Sequence, residues 1–443
     1  MLNFVNIGLI LAASFTALPV ESKKTIYAGY NGLPKWTPTY NMSLSTIAMP
    51  CNYSGYFDPN FFAGSGGKNM FGLVDFDWSN AKQIYVNNHP MNCDELLINQ
   101  VNMIKAVSPD TKVFKYFNFV KALPWYTYVQ EKLTDPAYSG WFLKFANGIN
   151  STYHSPPCDK SFDPPLCSDY YHDQDQTPAY PHGDGSCAEP CDCAGVPCGE
   201  YLFNHANDTL RDFLVNEVIL GPTGLGNPNV SGFFLDDGWT NVSAPILPWE
   251  PKIGFCDHSP IGGPTEEDFY CVEDMGLTQA DTTAIFTGWK TTMQAVYDAI
   301  YANGGWAWQM FTESSTPSPS ECTNYFRNTA LSLNTSAVMF EFTNASHSPV
   351  LPAFSQDLAT FLLIRGDYAF LGYGWIGCTR DSVPGFGNNW SYPYPNELNY
   401  DYGTPLAPYY ETIPNTSGIF QRNYTKSTVQ FNCNTWTGTI TMN

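Results

Sequence analysis

Apolar and polar positions change their period along this chain, and the changes divide it into elements. "FGLVDFDW" (71–78) is a short apolar run closed by carboxylates, as expected of a buried strand. "CDELLINQVNMIKAV" (93–107) places Leu96, Leu97, Val101, Ile104 and Val107 close to helical spacing. The alternation continues with strands predicted at 111–120, 199–205, 230–237, 305–311, 336–342 and 367–375. Helices are predicted at 135–148, 208–219, 278–302 and 355–364, the third opened by Asp281, Thr282 and Thr283 and closed by Gly304.

Strands separated by helices predict an α/β fold, either a (βα)8 TIM barrel or an open doubly wound sheet. No Gly-x-Gly-x-x-Gly follows the first strand, which weakens the dinucleotide-binding form and favours the barrel. Between about 149 and 198 the pattern fails in a segment rich in Pro, Cys, Asp and His, read as a long disulfide-rich loop insertion. The end of the chain is β-like and poor in helix. The expected organisation is therefore a signal peptide over 1–22, a barrel over 23–413 carrying the insertion, and a small C-terminal β appendage over 414–443.

Residues 4–20, "FVNIGLILAASFTALPV", are apolar but short for a membrane span, and Val20 and Ser22 suit cleavage before Lys23. Eleven Asn-x-Ser/Thr sequons and 13 cysteines fit an exported, N-glycosylated and disulfide-bonded chain. The expected location is secreted, extracellular or the secretory-pathway lumen, with no membrane span in the mature chain. An odd cysteine count leaves at least one thiol free or paired with another chain. The formal charge of −21 makes nucleic acid and anionic membranes poor partners. Aromatics at 16% supply either a large aromatic core or platforms for sugar rings.

Barrel active sites lie at the C-terminal ends of the strands, and three predicted strands carry carboxylates there: Asp75 and Asp77, Asp236 and Asp237, and Glu341. Strand alternation puts Asp236 on one face and Asp237 on the other. An acidic turn at Asp237-Gly238, or a core acid paired with a buried cation at Glu341, is the bland alternative. Two carboxylates in one cleft are what glycoside hydrolysis requires, one to protonate the leaving oxygen and one to attack or to activate water. Asp236 and Glu341 are the expected catalytic pair. Asp237, Asp75, Asp77, Trp78, Trp239, Trp308, Trp375 and His172 are expected to bind substrate.

On these residues the chain resembles (βα)8 glycoside hydrolases. "GFFLDDGW" (232–239) is similar to the nucleophile strands of the α-amylase and α-galactosidase groups. "FGLVDFDWSNAK", "CGEYLFNHAND" and "VMFEF" resemble uncharacterised glycoside-hydrolase-like barrels. The resemblance implies Asp236 as nucleophile or base and Glu341 as acid, a carbohydrate substrate, and no metal or organic cofactor. Glu on the sixth strand departs from both named groups.

Other constellations compete. His172, Asp173, Asp175, His182 and Asp184 form either a metal site or a solvated, substrate-facing loop. Cys187, Cys191, Cys193 and Cys198 have near zinc-site spacing, although disulfides suit an oxidising compartment better. Neither a serine-hydrolase elbow nor a His-Glu-x-x-His motif is present. The alternative of a different class is a non-catalytic carbohydrate-binding or surface structural glycoprotein on the same scaffold.

Overall fold

A computed structural model describes residues 36, 39–63, 71–88, 90–144, 158–159, 163–173, 193, 195–239, 252–254, 269–271, 277–307, 309–311, 318–329, 338–342, 353–373, 377–379 and 395–443. Its centre is one parallel sheet built from β1 (Ser45–Ile47), β2 (Phe71–Phe76), β3 (Lys112–Asn118), β4 (Gly232–Asp236), β5 (Trp306–Ala307), β6 (Gln309–Phe311), β7 (Val338–Phe342) and β8 (Phe370–Tyr373). Neighbours follow chain order from β1 to β5, and β6 through β8 return to β1. Only residue 308 separates β5, which pairs with β4, from β6, which pairs with β7. The sheet therefore curls until its two ends meet on one short stretch of chain.

Glycine sets how closely some strands approach. A Cβ on Gly372 would lie 1.8 Å from the Thr46 carbonyl oxygen, and one on Gly232 would lie 2.0 Å from that of Trp306. Inside the curl, the rings of Trp36, Phe114, Trp306 and Tyr368 meet at centroid distances of 5.5–6.2 Å and fill the end opposite the strand C-termini. Outside it, α1 (Cys93–Val107) buries Leu96, Leu97, Val101 and Ile104, as its periodicity predicts. The buried Asp94 of α1 pairs with the buried Lys115 of β3 and pins helix to sheet. Removing one partner would leave an uncompensated buried charge.

Further helical segments lie along the described chain. They include α2 (Thr127–Thr134), α3 (Asp208–Phe213), a π-turn at Leu214–Ile219, α4 (Gln279–Ala302) and α5 (Phe354–Ile364). A capping box formed by Thr278 and Asp281 opens α4.

Three expectations change. The segment 135–148 does not form a helix where described: Asp135 caps a single 3-10 stretch, Pro136–Trp141, and Phe142 then bridges to Phe203. The residue before a proline is held out of the helical region, so the helix stops early and α2 lies ahead of it. Residues 199–205 are not in the central sheet. Their strand, Glu200–Leu202, pairs antiparallel with Lys121–Ala122 and His172–Asp173. Strands β3 and β4 pair directly instead, and Ser45–Ile47, which was not predicted, joins the sheet between β2 and β8.

Within the insertion, Cys158–Cys167 and Cys193–Cys198 are disulfides, so the latter two are not zinc ligands. Cys187 and Cys191 lie outside the described residues. Among the described cysteines Cys93 is free, buried at the start of α1.

The C-terminal strands β9 (Tyr410–Glu411), β10 (Ile419–Asn423), β11 (Ser427–Asn432) and β12 (Thr437–Met442) form an antiparallel sheet that begins slightly before 414. Phe420, Val429 and Phe431 point inward. Arg422 donates to the carbonyls of Leu362, Leu363 and Arg365 at 2.8–3.2 Å, satisfying the C-terminal end of α5. A Cys322–Cys433 disulfide adds a covalent tie. Among the described residues no helix is long and apolar enough to cross a membrane.

Candidate active site

Strands β2, β3 and β4 run side by side, and their last residues build the site. Phe234 lies in register with Tyr116, and Asp236 with Asn118. Tyr116 and Phe234 stack with centroids 5.8 Å apart, which fixes the phenol ring along the sheet interior. The Tyr116 hydroxyl then donates to Asp236 Oδ2 at 2.7 Å.

Strand alternation ends at Asp236. Asp237 adopts a left-handed conformation (φ 58°), so its carboxylate does not turn to the opposite face. Asn118 Nδ2 donates to Asp237 Oδ2 at 2.5 Å, placing both carboxylates of the pair on the Tyr116–Asn118 side. This corrects the expectation that the two would face apart. Among the described residues no hydrogen-bonded turn forms at Asp237-Gly238; the left-handed residue gathers charge rather than dispersing it.

Asn118 is itself fixed. Its Oδ1 accepts from the backbone N–H groups of Val120 and Lys121 at 2.9 and 2.7 Å, which leaves its amide nitrogen aimed at Asp237. The chain turns back so that Lys121 Nζ lies 3.7 Å from Asp237 Oδ2 and 2.9 Å from Glu200 Oε2. The inserted strand thereby supplies a fourth acid to the neighbourhood. Tyr116, Asn118, Lys121 and Glu200 are site residues that the sequence reading missed. The one available signal was an Asn between two Phe residues at a strand end, "FNF".

These contacts set the proton on Asp236. Burial, and next the charge of Asp237, push its carboxyl up to about 8, against the pull of the Tyr116 hydrogen bond, Lys121 and the Asp237 N–H. The shift favours the protonated form of Asp236. The Tyr116 hydroxyl is raised by burial and by the charges of Asp236, Asp237 and Asp77, which brings Asp77 of the β2 end into the same cluster. Asp77 is also raised, chiefly by burial, while Ser79 donates to its Oδ1 from both N–H and hydroxyl at 2.5 and 2.7 Å.

The other predicted residues separate. Asp75 is fully buried, and its Oδ1 accepts the N–H of left-handed Met49 at 2.9 Å, a contact that ties β2 to the segment after β1. Trp78 is half-buried against Trp125 (4.8 Å between centroids) with Lys82 Nζ 5.4 Å from its ring, beside the acidic cluster. Trp239 is 3% exposed and packed with Val120, Leu143, Tyr171, Leu202 and Ile285, so its faces are covered by protein and offer no sugar platform. Trp308 and Trp375 lie outside the described residues, as do Asp175, His182 and Asp184. His172 is described at the backbone, where it pairs with Tyr201 one residue from Glu200.

Glu341 too is described at the backbone only. Its Cα lies in register with Gly372, as does that of Thr46, whose partner on β2 is Leu73. Asp75 follows Leu73 by two residues, and its partner Phe114 pairs with Gly232. Followed across the sheet, this register gives Glu341 the same pleat phase as Gly232, Phe234 and Asp236.

No family model matches the chain, and no curated protein matches it in sequence. Solved structures share its general course. A sucrose 6F-phosphate phosphorylase from Thermoanaerobacter thermosaccharolyticum is 12% identical, covering 90% of this chain and 96% of that one, with a TM-score of 0.37. A debranching enzyme from Nostoc punctiforme is 10% identical, covering 89% and 87%, with a TM-score of 0.40. A GH31 dextranase from Flavobacterium johnsoniae is 10% identical, covering 85% of this chain and 40% of the enzyme, with a TM-score of 0.41. Each of these likenesses has a TM-score of 0.41 or less and an identity of 12% or less.

Proposed function

We propose that this chain is a secreted glycoside hydrolase on a closed parallel barrel, with Asp236 and Glu341 as its catalytic carboxylates and carbohydrate as substrate. The observation that carries the reading is Asp236 at the mouth of β4, held by the Tyr116 hydroxyl beside a second acid in surroundings that favour its protonated form. A carboxyl that keeps its proton at neutral pH is equipped to give it to a departing glycosidic oxygen.

The roles drawn from the family resemblance are thereby exchanged. Asp236 is the proton donor, and Glu341, in the same pleat phase, is the carboxylate that attacks the anomeric carbon or activates water. Asp77 and Asp237 would accept hydroxyl hydrogens of the sugar, and Trp78 would lie along it. Secretion is supported by the apolar N-terminal stretch and by disulfides at Cys158–Cys167, Cys193–Cys198 and Cys322–Cys433. Its N-glycans would sit at exposed sequons such as Asn41 and Asn415. At Asn52 and Asn207 the amide already donates to the Tyr56 and Gly140 carbonyls, which disfavours a sugar there.

The test is hydrolysis of a glycan and aryl-glycoside panel by wild type, Asp236→Asn and Glu341→Gln. Asp236→Asn should lose about 10²–10⁴-fold on natural linkages and far less on dinitrophenyl glycosides, whose leaving group needs no proton. Glu341→Gln should fail on both. Equal release of sugar by all three proteins would remove the proposed site.

A further inference from the structure

The ammonium of Lys121 stands between two carboxylates that come from different parts of the chain. Glu200 belongs to the inserted strand beside the Cys193–Cys198 bridge, and Asp237 belongs to the turn after β4. Lys121 is 11% exposed at its side chain, with Glu200 at 6% and Asp237 at 10%, so water screens the three charges weakly. The backbone of Lys121 is fixed as well, because its N–H donates to the same Asn118 side chain that donates to Asp237. One residue thus couples the insertion, the β3 turn and the acid pair.

We propose that Lys121 is a positioning residue for the acid pair: shared between Glu200 and Asp237, it fixes the negative charge on Asp237 and so leaves the transferable proton on Asp236. The idea rests on the reading of Asp236 as proton donor.

Two adjacent carboxyls at one strand end compete for a proton, and their surroundings decide which one keeps it. Asp237 faces a cation and an amide donor. Asp236 faces the neutral Tyr116 hydroxyl and the Asp237 N–H, and Lys121 acts on it at longer range than on Asp237. Among the described residues, Asp77 at the β2 end acts on Tyr116, and Glu200 of strand Glu200–Leu202 faces Lys121. Glu200 opposes Lys121, so the insertion tempers the effect of the cation on the pair.

The experiment is a carboxyl carbon-13 NMR titration of aspartate-labelled protein, assigned with Asp236→Asn and Asp237→Asn. In wild type the Asp236 signal should titrate near 8 and separately from that of Asp237. Lys121→Met should raise the midpoint of the pair by at least one pH unit, a tenfold gain in proton affinity, and make both signals move together. Lys121→Arg should restore the wild-type pattern. Glu200→Gln should move the midpoint the opposite way, and it tests the same coupling should Lys121→Met fail to fold.

Titrations of Lys121→Met and Glu200→Gln that overlay wild type would reduce Lys121 to an ordinary structural ion pair and overturn the proposal. Hydrolysis is scored separately. Shifted titrations without hydrolysis of any glycoside would retain the coupling and reject the glycosidase reading, and hydrolysis with unshifted titrations would do the reverse.

Discussion

Replacing Asp236 by Asn should stabilise the protein, and more so at pH 8 than at pH 5. A carboxyl raised from the ordinary 3.8 to about 8 binds its proton more tightly in the folded than in the unfolded chain. Between those values folding takes up a proton, so stability falls as pH rises and the full loss is present above about 8. At about 1.4 kcal/mol per tenfold in affinity, the loss could reach roughly 6 kcal/mol. Asp236 is partly exposed, and water screens part of this, so the expected gain for Asp236→Asn is about 2–4 kcal/mol at pH 8. At pH 5 most of the wild-type carboxyl is protonated and the gain should be about 1 kcal/mol. Asn has the same shape and can still accept the Tyr116 hydroxyl, so little else changes. Urea unfolding of both proteins at the two pH values measures the difference directly. A variant no more stable than wild type at pH 8, or equally stabilised at both, would show that Asp236 is ionised and well solvated in the folded chain.

Two further perturbations reach the scaffold. His205 is 2% exposed, its Nε2 lies 2.5 Å from the Phe119 carbonyl, and burial lowers its pKa to about 4. The unfolded chain takes up the proton first, so stability should fall by up to about 3 kcal/mol as pH drops from about 6.5 to 4. Urea unfolding across that range should show a smaller loss in His205→Gln than in wild type; parallel curves would refute the assignment. Cys322–Cys433 joins residues 111 apart, and its removal as a double Ser variant should cost about 2–5 kcal/mol. A loss below about 1 kcal/mol in denaturant unfolding would mean that the packing on α5 holds the C-terminal sheet without the bridge.

The parts of the fold legible in the sequence are those in which one local signal decides. Helix α1 was readable because its apolar stripe repeats over fifteen residues, and α4 because Asp281, Thr282 and Thr283 near its start and Gly304 past its end bound it. Ser45–Ile47 was invisible because three residues carry no period. "GEYLFNH" was rightly read as extended but assigned to the wrong sheet, since partner choice depends on Lys121–Ala122 and His172–Asp173, far away in sequence. The carboxylates stood out as charges in apolar runs. Their partners did not, because Tyr116, Asn118 and Lys121 read as ordinary residues of a neighbouring strand until register sets them beside Asp236. Neither Lys115 nor Lys121 stands out in the sequence, yet both pair with acids in the structure.

The strand end that carries Asp236 combines three features that work against stability. Asp236 keeps a proton that an ordinary surface Asp would lose, Asp237 occupies a left-handed conformation better suited to Gly or Asn, and Asp77 is raised by burial close by. Substitution by Asn would relieve the charge at each position without altering shape. A scaffold retained only for its surface would lose nothing by such changes, and many single substitutions lead there. These three features share one strand-end cluster, whereas the opposite end of the sheet is closed by packed aromatic rings, among which Trp306 Nε1 is buried without a hydrogen-bond partner. Strain concentrated where the scaffold could readily shed it is expected when the strained groups perform chemistry. That contrast between the two ends of one sheet favours a working acid site over a retired barrel, independently of any likeness to known enzymes.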